Sequence, residues 1–99
     1  MDLEKYTKIR TEVYDYLNTH GKYYLPKEIL ENEVSLSHVV NCGTNIMAKK
    51  LGLAINIGSF ARAVVNNDLL TAVTTADKDN TKALRFYVIM KYNLTINLK

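Results

Sequence analysis

Apolar residues near the start of the chain repeat with the period of an α-helix. The repeat consists of Tyr6, Ile9, Val13 and Leu17. Spacings of three and four residues place these side chains on one helical face, so the pattern predicts a helix over residues 3–19. Gly21 follows at a position typical of the residue that ends a helix.

Short elements are predicted between residues 22 and 52. Residues 22–25 have the composition of a short strand, and Pro26 suits the first turn of a helix that ends near Glu33. Residues 34–43 predict another short helix, although their β-branched valines also permit a strand. A clearer helix follows over residues 45–51 and ends at Gly52.

The last third of the chain changes its period. A helix is predicted from Ser59 to about Asn67, followed by a β-branched run over residues 69–75. Residues 76–82 are polar and typical of a turn, whereas apolar and polar residues alternate over residues 83–92. This order predicts a β-hairpin with a long loop.

The segments AKKLGL, SFARAVVNNDLLTAV and ALRFYVI, within residues 44–91, resemble the winged helix-turn-helix superfamily. The resemblance implies an α+β fold in which residues 1–99 form a single winged-helix domain, with residues 1–33 as an N-terminal helical extension. It further implies that residues 59–67 form the recognition helix, that the C-terminal β-hairpin is the wing, and that double-stranded DNA is the partner. Two features depart from the family pattern: the turn at residues 53–58 is long, and the recognition helix carries one cation.

Charge is distributed unevenly along the chain. Residues 1–33 carry five basic and seven acidic side chains, whereas residues 34–99 carry eight basic and three acidic ones. A basic segment joined to a slightly acidic one favours a polyanionic partner for the basic part. A chance division of charge on a solvated surface is the alternative interpretation.

The predicted DNA contacts lie in the second half of the chain. They are Lys49, Lys50, Asn56, Ser59, Arg62, Asn66, Lys78, Asn80, Lys82 and Arg85. Arg62 and Asn66 are the best candidates for base recognition, because Arg bonds guanine and Asn bonds adenine through paired hydrogen bonds. The lysines would contact phosphates on either side. These residues predict a sequence-specific, double-stranded DNA-binding protein that acts as a small transcriptional regulator. The composition, rich in Asn, Lys, Tyr and Ile, is typical of an AT-rich virus, plasmid or microbe.

A second helix-turn-helix register is available earlier in the chain. It uses residues 25–33 as the first helix and residues 35–41 as the recognition helix, which brings Ser35, Ser37, His38 and Asn41 to the DNA. Residues 35–41 follow an acidic stretch and contain no Lys or Arg, so electrostatics favour the later register.

A protein partner is the alternative to DNA. The protein would then be an interaction module, such as a small viral inhibitor of a host protein, with a surface rich in tyrosine. That surface would include Tyr14, Tyr16, Tyr23 and Tyr24. A homodimer through the helix over residues 3–19 is a further prediction.

Catalytic, metal and cofactor sites are not predicted. His38 and Cys42 are four residues apart, but a zinc site needs three or four ligands and the chain has no second cysteine. No glycine-rich phosphate loop is present. The single cysteine and the absence of an apolar signal segment predict a cytoplasmic location, which is the host cytoplasm if the protein is viral. No membrane partner is predicted.

Overall fold

A computed structural model describes residues 2–98. Within this range the regular elements are helices, and no strand is present. The helices are α1 (Leu3–Tyr24), α2 (Lys27–Leu30), α3 (Glu33–Lys50), α4 (Ser59–Val65), α5 (Leu69–Thr75) and α6 (Lys78–Asn93). The predicted α+β fold, with a winged helix-turn-helix and a C-terminal β-hairpin, is therefore wrong.

Asp and Asn residues are the N-caps of four of these helices. Asp2, Asn32, Asp68 and Asp77 each accept a hydrogen bond from a backbone N–H group in the first turn of the helix that follows. Such caps satisfy donors that have no partner inside the helix, and each contributes about 1 kcal/mol. Two of these caps, Asp68 and Asp77, lie where the sequence predicts a strand and a turn, and they begin α5 and α6 instead.

Residues 83–92 show why the predicted wing is wrong. Their alternating pattern also contains the helical spacing i, i+3, i+4, i+7, which is occupied by Ala83, Phe86, Tyr87 and Met90. All four of these side chains are fully buried, whereas Val88 is 49% exposed. A strand would have placed Tyr87 and Val88 on opposite faces, with Val88 buried beside Phe86 and Tyr87 exposed. The helical period therefore decides the fold of this segment.

Other predicted boundaries move as well. The helix predicted over residues 3–19 is present, but it continues through Gly21 to Tyr24, so the strand predicted at residues 22–25 is wrong. The two helices predicted over residues 34–43 and 45–51 are one continuous helix, α3. Gly43 lies inside this helix, where its lack of a side chain permits close packing against Val13 and Met90.

Helix α3 lies at the centre of the fold and packs against α1, α2, α4 and α6. The apolar stripe of α1, including Ile9, Val13 and Leu17, is buried in this core. Two polar side chains are buried there, and each has a partner. Thr44 donates a hydrogen bond to the Val40 carbonyl oxygen at 2.7 Å, and Asn80 accepts one from the Tyr87 hydroxyl at 2.7 Å.

In the part of the chain that the structure describes, no helix is long and apolar enough to cross a membrane.

Candidate functional site

The basic side chains around the segment between α3 and α4 hold that segment in place. Lys49 donates a hydrogen bond to the Ile55 carbonyl oxygen at 3.3 Å, and Arg62 donates one to the Ile57 carbonyl oxygen at 3.2 Å. Gly52, the second residue of the segment, has a φ of 87°, which glycine readily adopts. Two of the predicted DNA-binding cations therefore also stabilise the fold around residues 51–58.

The predicted recognition helix is short. Helix α4 has seven residues, about two turns, and Asn66 is its C-cap. Asn56, Ser59 and Asn66 are exposed, so their polar groups are accessible to a partner. Helix α3 packs against α4, which preserves a helix-segment-helix arrangement without the wing.

The cations predicted for the wing lie on α6 instead. Lys78, Lys82 and Arg85 are separated by four and three residues, which places them along one side of this helix. The Arg85 guanidinium lies 5.4 Å from the centroid of the Tyr24 ring, a cation–π contact. Asn80 does not join them, because its amide is buried and its oxygen accepts the Tyr87 hydroxyl hydrogen bond.

In the described part of the chain, the basic residues from Lys49 onward belong to no ion pair with a carboxylate. Within residues 2–98, ion pairs join Lys5 to Asp2 and Lys27 to Glu31, and His38 Nε2 lies 2.9 Å from Asp77 Oδ2. None of these pairs includes the seven cations from Lys49 to Lys91. The fold thus leaves a set of positive charges that an anionic partner can neutralise.

Helix α5 carries an exposed apolar surface that the sequence pattern did not predict. Leu69, Leu70 and Val73 of α5 are 70%, 76% and 57% exposed. Helix α5 buries only Ala72 among its seven residues. Large exposed apolar side chains that lie together usually mark an interaction surface.

A groove separates α5 from α6 beneath this surface. Its floor and walls consist of Ala63, Val64, Asn67, Asp68, Leu69, Ala72, Leu84 and Val88, and they enclose about 190 Å³. A second depression of about 390 Å³ shares Val64, Asn67 and Val88 with the first and continues to Lys50, Ile89, Lys91 and Tyr92. We call these two connected depressions the α5–α6 groove. It is apolar at one end and basic at the other.

Lys91 fixes the basic end of the α5–α6 groove. Its ammonium group donates hydrogen bonds to the carbonyl oxygens of Val64 and Val65 at 3.0 and 2.8 Å, and to Asn67 Oδ1 at 2.7 Å. The first two bonds provide donors for carbonyl groups at the C-terminal end of α4, which have no partner within the helix. Lys50 donates in turn to the Lys91 carbonyl oxygen. Burial, and secondly the charge of Lys50, lower the pKa of Lys91.

A polar pocket between α3, α4 and α6 contains Cys42. His38, Asn41 and Asn45 line it, and His38 Nε2 lies 2.9 Å from Asp77 Oδ2. Burial raises the pKa of the Cys42 thiol to about 11, opposed by a hydrogen bond with Tyr87. Among the described residues, no group of three or more His, Cys, Asp or Glu side chains is arranged to hold a metal ion.

Alkylation of Cys42 by iodoacetamide is expected to be slow at neutral pH. The thiolate is the reactive form, and a pKa of about 11 instead of 9.0 lowers its population at pH 8 by roughly 100-fold. The rate is expected to rise about tenfold per pH unit up to pH 10. Mass spectrometry of the protein after timed quenching measures this profile, and a half-maximal rate below pH 9 would contradict it.

The tyrosines predicted to form a surface for a protein partner do not form one continuous surface, because some are buried and others are exposed. Tyr16 is buried and stacks on His20 with ring centroids 4.4 Å apart, whereas Tyr14 and Tyr23 are exposed. The apolar stripe of α1 is buried within its own chain, so a homodimer through residues 3–19 would use the outer, largely charged face of that helix. The homodimer stays a prediction.

Comparisons with protein-family models, with curated proteins and with solved structures gave no match to this chain.

Proposed function

We propose that this protein is an interaction module that binds another protein through the α5–α6 groove. The observation that carries the proposal is the exposure of Leu69, Leu70 and Val73 on a short helix beside that groove. Burying a leucine side chain in an interface contributes about 1.5–3 kcal/mol. Three such anchors within two helical turns suit the apolar centre of an interface.

The proposal modifies the interaction hypothesis drawn from the sequence. The docking surface consists of aliphatic side chains on α5 and α6, and the tyrosines of α1 lie outside it. A cytoplasmic location forms part of the proposal, since Cys42 is a free cysteine.

Binding of double-stranded DNA is the second candidate function. It is supported by the seven cations without carboxylate partners, because phosphates neutralise such groups favourably. DNA contacts would come from exposed residues of α4 and from the basic side of α6, since the described chain has no wing. Phosphates would leave the leucines of α5 in water, so the protein-binding function accounts for more of the exposed surface.

Replacing Leu70 with Asn is expected to abolish binding to the natural partner. Leu70 is the second residue of α5, after the Asp68 cap, and Val34 is the second residue of α3, after the Asn32 cap. Leu70 belongs to the exposed apolar surface of α5 beside the groove, whereas Val34 is 80% exposed on α3 and lies outside both that surface and the groove, so Val34→Asn is a matched control. Both variants are expected to retain the wild-type free energy of unfolding within about 0.5 kcal/mol.

The measurement is quantitative mass spectrometry of proteins retained from an extract of the natural cells by each immobilised variant. At least one protein is expected to be retained in near-equimolar amount by the wild type and by Val34→Asn. The retained amount of that protein is expected to be at least tenfold lower with Leu70→Asn. A tenfold loss corresponds to about 1.4 kcal/mol. Identical retention by the two variants would contradict the proposal.

A further inference from the structure

We infer that the occupant of the α5–α6 groove is an amphipathic helix of the partner, with an apolar face and acidic residues beside it. The inference rests on the proposed function and specifies the partner's chemistry.

The shape of the groove fits a helix. The small side chains of Ala63 and Ala72 line it, and Leu69, Leu84 and Val88 supply larger apolar groups. From Leu84 to Tyr92 the groove follows nine residues of α6, which span about 12 Å along the helix axis. Apolar residues at positions i, i+4 and i+7 of a partner helix span a similar length, which is a common arrangement for helices bound in grooves.

The charges of the groove favour acidic residues on that helix. Lys50 and Lys91 line its basic end, and neither belongs to an ion pair among the described residues. Asp68 is the acidic residue of the lining, and its carboxylate already accepts the Thr71 N–H at 3.1 Å as the cap of α5. A carboxylate of the partner near Lys50 and Lys91 would offset their mutual repulsion.

The basic side of α6 extends this complementarity. Arg85 belongs to this side and lies three residues before Val88, about one helical turn from the apolar wall. A partner helix with carboxylates flanking its apolar face would therefore meet cations at the end of the groove and along its outer edge.

Two other occupants fit the same surface less well. A second copy of the chain, docked groove to groove, would offer Lys50 and Lys91 no carboxylate from its own groove except that of Asp68, which already caps α5. Duplex DNA would neutralise the cations but would leave the walls of Leu69 and Val88 unpaired with apolar groups.

Selection from a displayed peptide library tests the inference. The probes are helical peptides of about 16 residues, long enough to span the groove, with leucine at positions i, i+4 and i+7. The flanking positions are randomised among Glu, Gln, Lys and Ala. The immobilised wild-type protein is expected to enrich Glu at the flanking positions, and Leu70→Asn is expected to retain none of the enriched peptides.

Affinities of the most enriched peptide, synthesised with a fluorescent label, provide the charge test. Fluorescence anisotropy is expected to show about fivefold weaker binding to Lys50→Gln, since a solvent-accessible ion pair contributes up to about 1 kcal/mol. Lys27→Gln is the control, because Lys27 is an exposed cation of α2 outside the groove. It is expected to change the affinity less than twofold.

The outcomes separate the inference from the proposed function. Peptides that depend on Leu70 but show no preference for Glu would overturn the acidic partner and leave the groove as a protein-binding site. If no peptide depends on Leu70, the inference is overturned as well, and retention from the cell extract tests the proposed function separately.

Two further measurements address the other occupants. A dimer in sedimentation equilibrium that Leu70→Asn abolishes and Val34→Asn retains would assign the groove to a second copy. Displacement of the labelled peptide by random-sequence duplex DNA in low salt, at concentrations near that of the protein, would assign the cations to DNA. Either result would overturn the inference.

Discussion

Replacing Phe86 with Ala is expected to lower the free energy of unfolding by about 3–5 kcal/mol, whereas Val88→Ala lowers it by less than about 1 kcal/mol. Phe86 is fully buried, with its ring centroid 6.1 Å from that of Tyr16 and 6.0 Å from that of Tyr87. Val88, two residues later, is half exposed on the wall of the groove. The difference follows from the helical period of α6.

Urea denaturation followed by circular dichroism measures both values. In a β-strand, residues 86 and 88 would point to the same side of the sheet and would be buried together. Similar losses for the two variants would therefore contradict α6 and favour the hairpin. As a control, the far-ultraviolet circular dichroism spectrum of Val88→Ala is expected to be helical and to have the wild-type intensity.

The second large effect is expected at Gly43, where α3 approaches α1 and α6. A Cβ atom added there would lie 3.2 Å from Met90 Cε and 3.2 Å from Val13 Cγ1. Leucine adds three further carbon atoms in a core that has no room for them. Gly43→Leu is therefore expected to lower the free energy of unfolding by about 3 kcal/mol.

Gly58→Leu is the matched control for this substitution. Gly58 precedes α4 with a φ of −68°, and a Cβ atom added there meets no atom within 4 Å. The loss at this position is expected to stay below about 1 kcal/mol, the contribution of a favourable N-cap residue. Thermal and urea unfolding of both variants measure the difference. Equal stabilities would contradict the close packing of α1, α3 and α6.

The sequence predicts the first helix, the end of α3 near Gly52 and the position of α4, because each has a clear period or a clear stop signal. It does not predict α6, since ten residues of alternating pattern satisfy both the strand period and the helical spacing of Phe86, Tyr87 and Met90. Asp77 does not distinguish the two from sequence, because Asp is both a helix start signal and a common turn residue; in the structure it caps α6.

Gly43 illustrates a second limit of prediction from sequence. Glycine is unfavourable in the interior of a helix, so Gly43 predicted the end of a helix. Close packing of three helices around Gly43 outweighs that local preference, and this packing involves Val13 and Met90, which are distant along the chain. Local propensity cannot predict such a contact.

The sequence indicated the charge of the candidate site but not its apolar part. Charge along the sequence indicated an anionic partner, which stays a prediction; among residues 2–98 the cations from Lys49 to Lys91 belong to no ion pair with a carboxylate. The exposure of Leu69 and Leu70 was not predicted, because it depends on how α5 packs against its neighbours through Ala72. The segment DLLTAV contains a usable signal, because the cap residue Asp68 is followed directly by two leucines. The seven-residue helix α5 buries neither Leu69 nor Leu70.

Methyl chemical shifts measured by NMR during titration with the selected acidic peptide test the central claim most directly. The account predicts that the largest changes occur at the methyl groups of Ala63, Ala72, Leu84 and Val88, which line the α5–α6 groove. Methyl groups distant from the groove, such as that of Val34, are expected to remain unchanged. Changes centred on α1, or around Asn56 and Ser59 before α4, with an unchanged groove would contradict it.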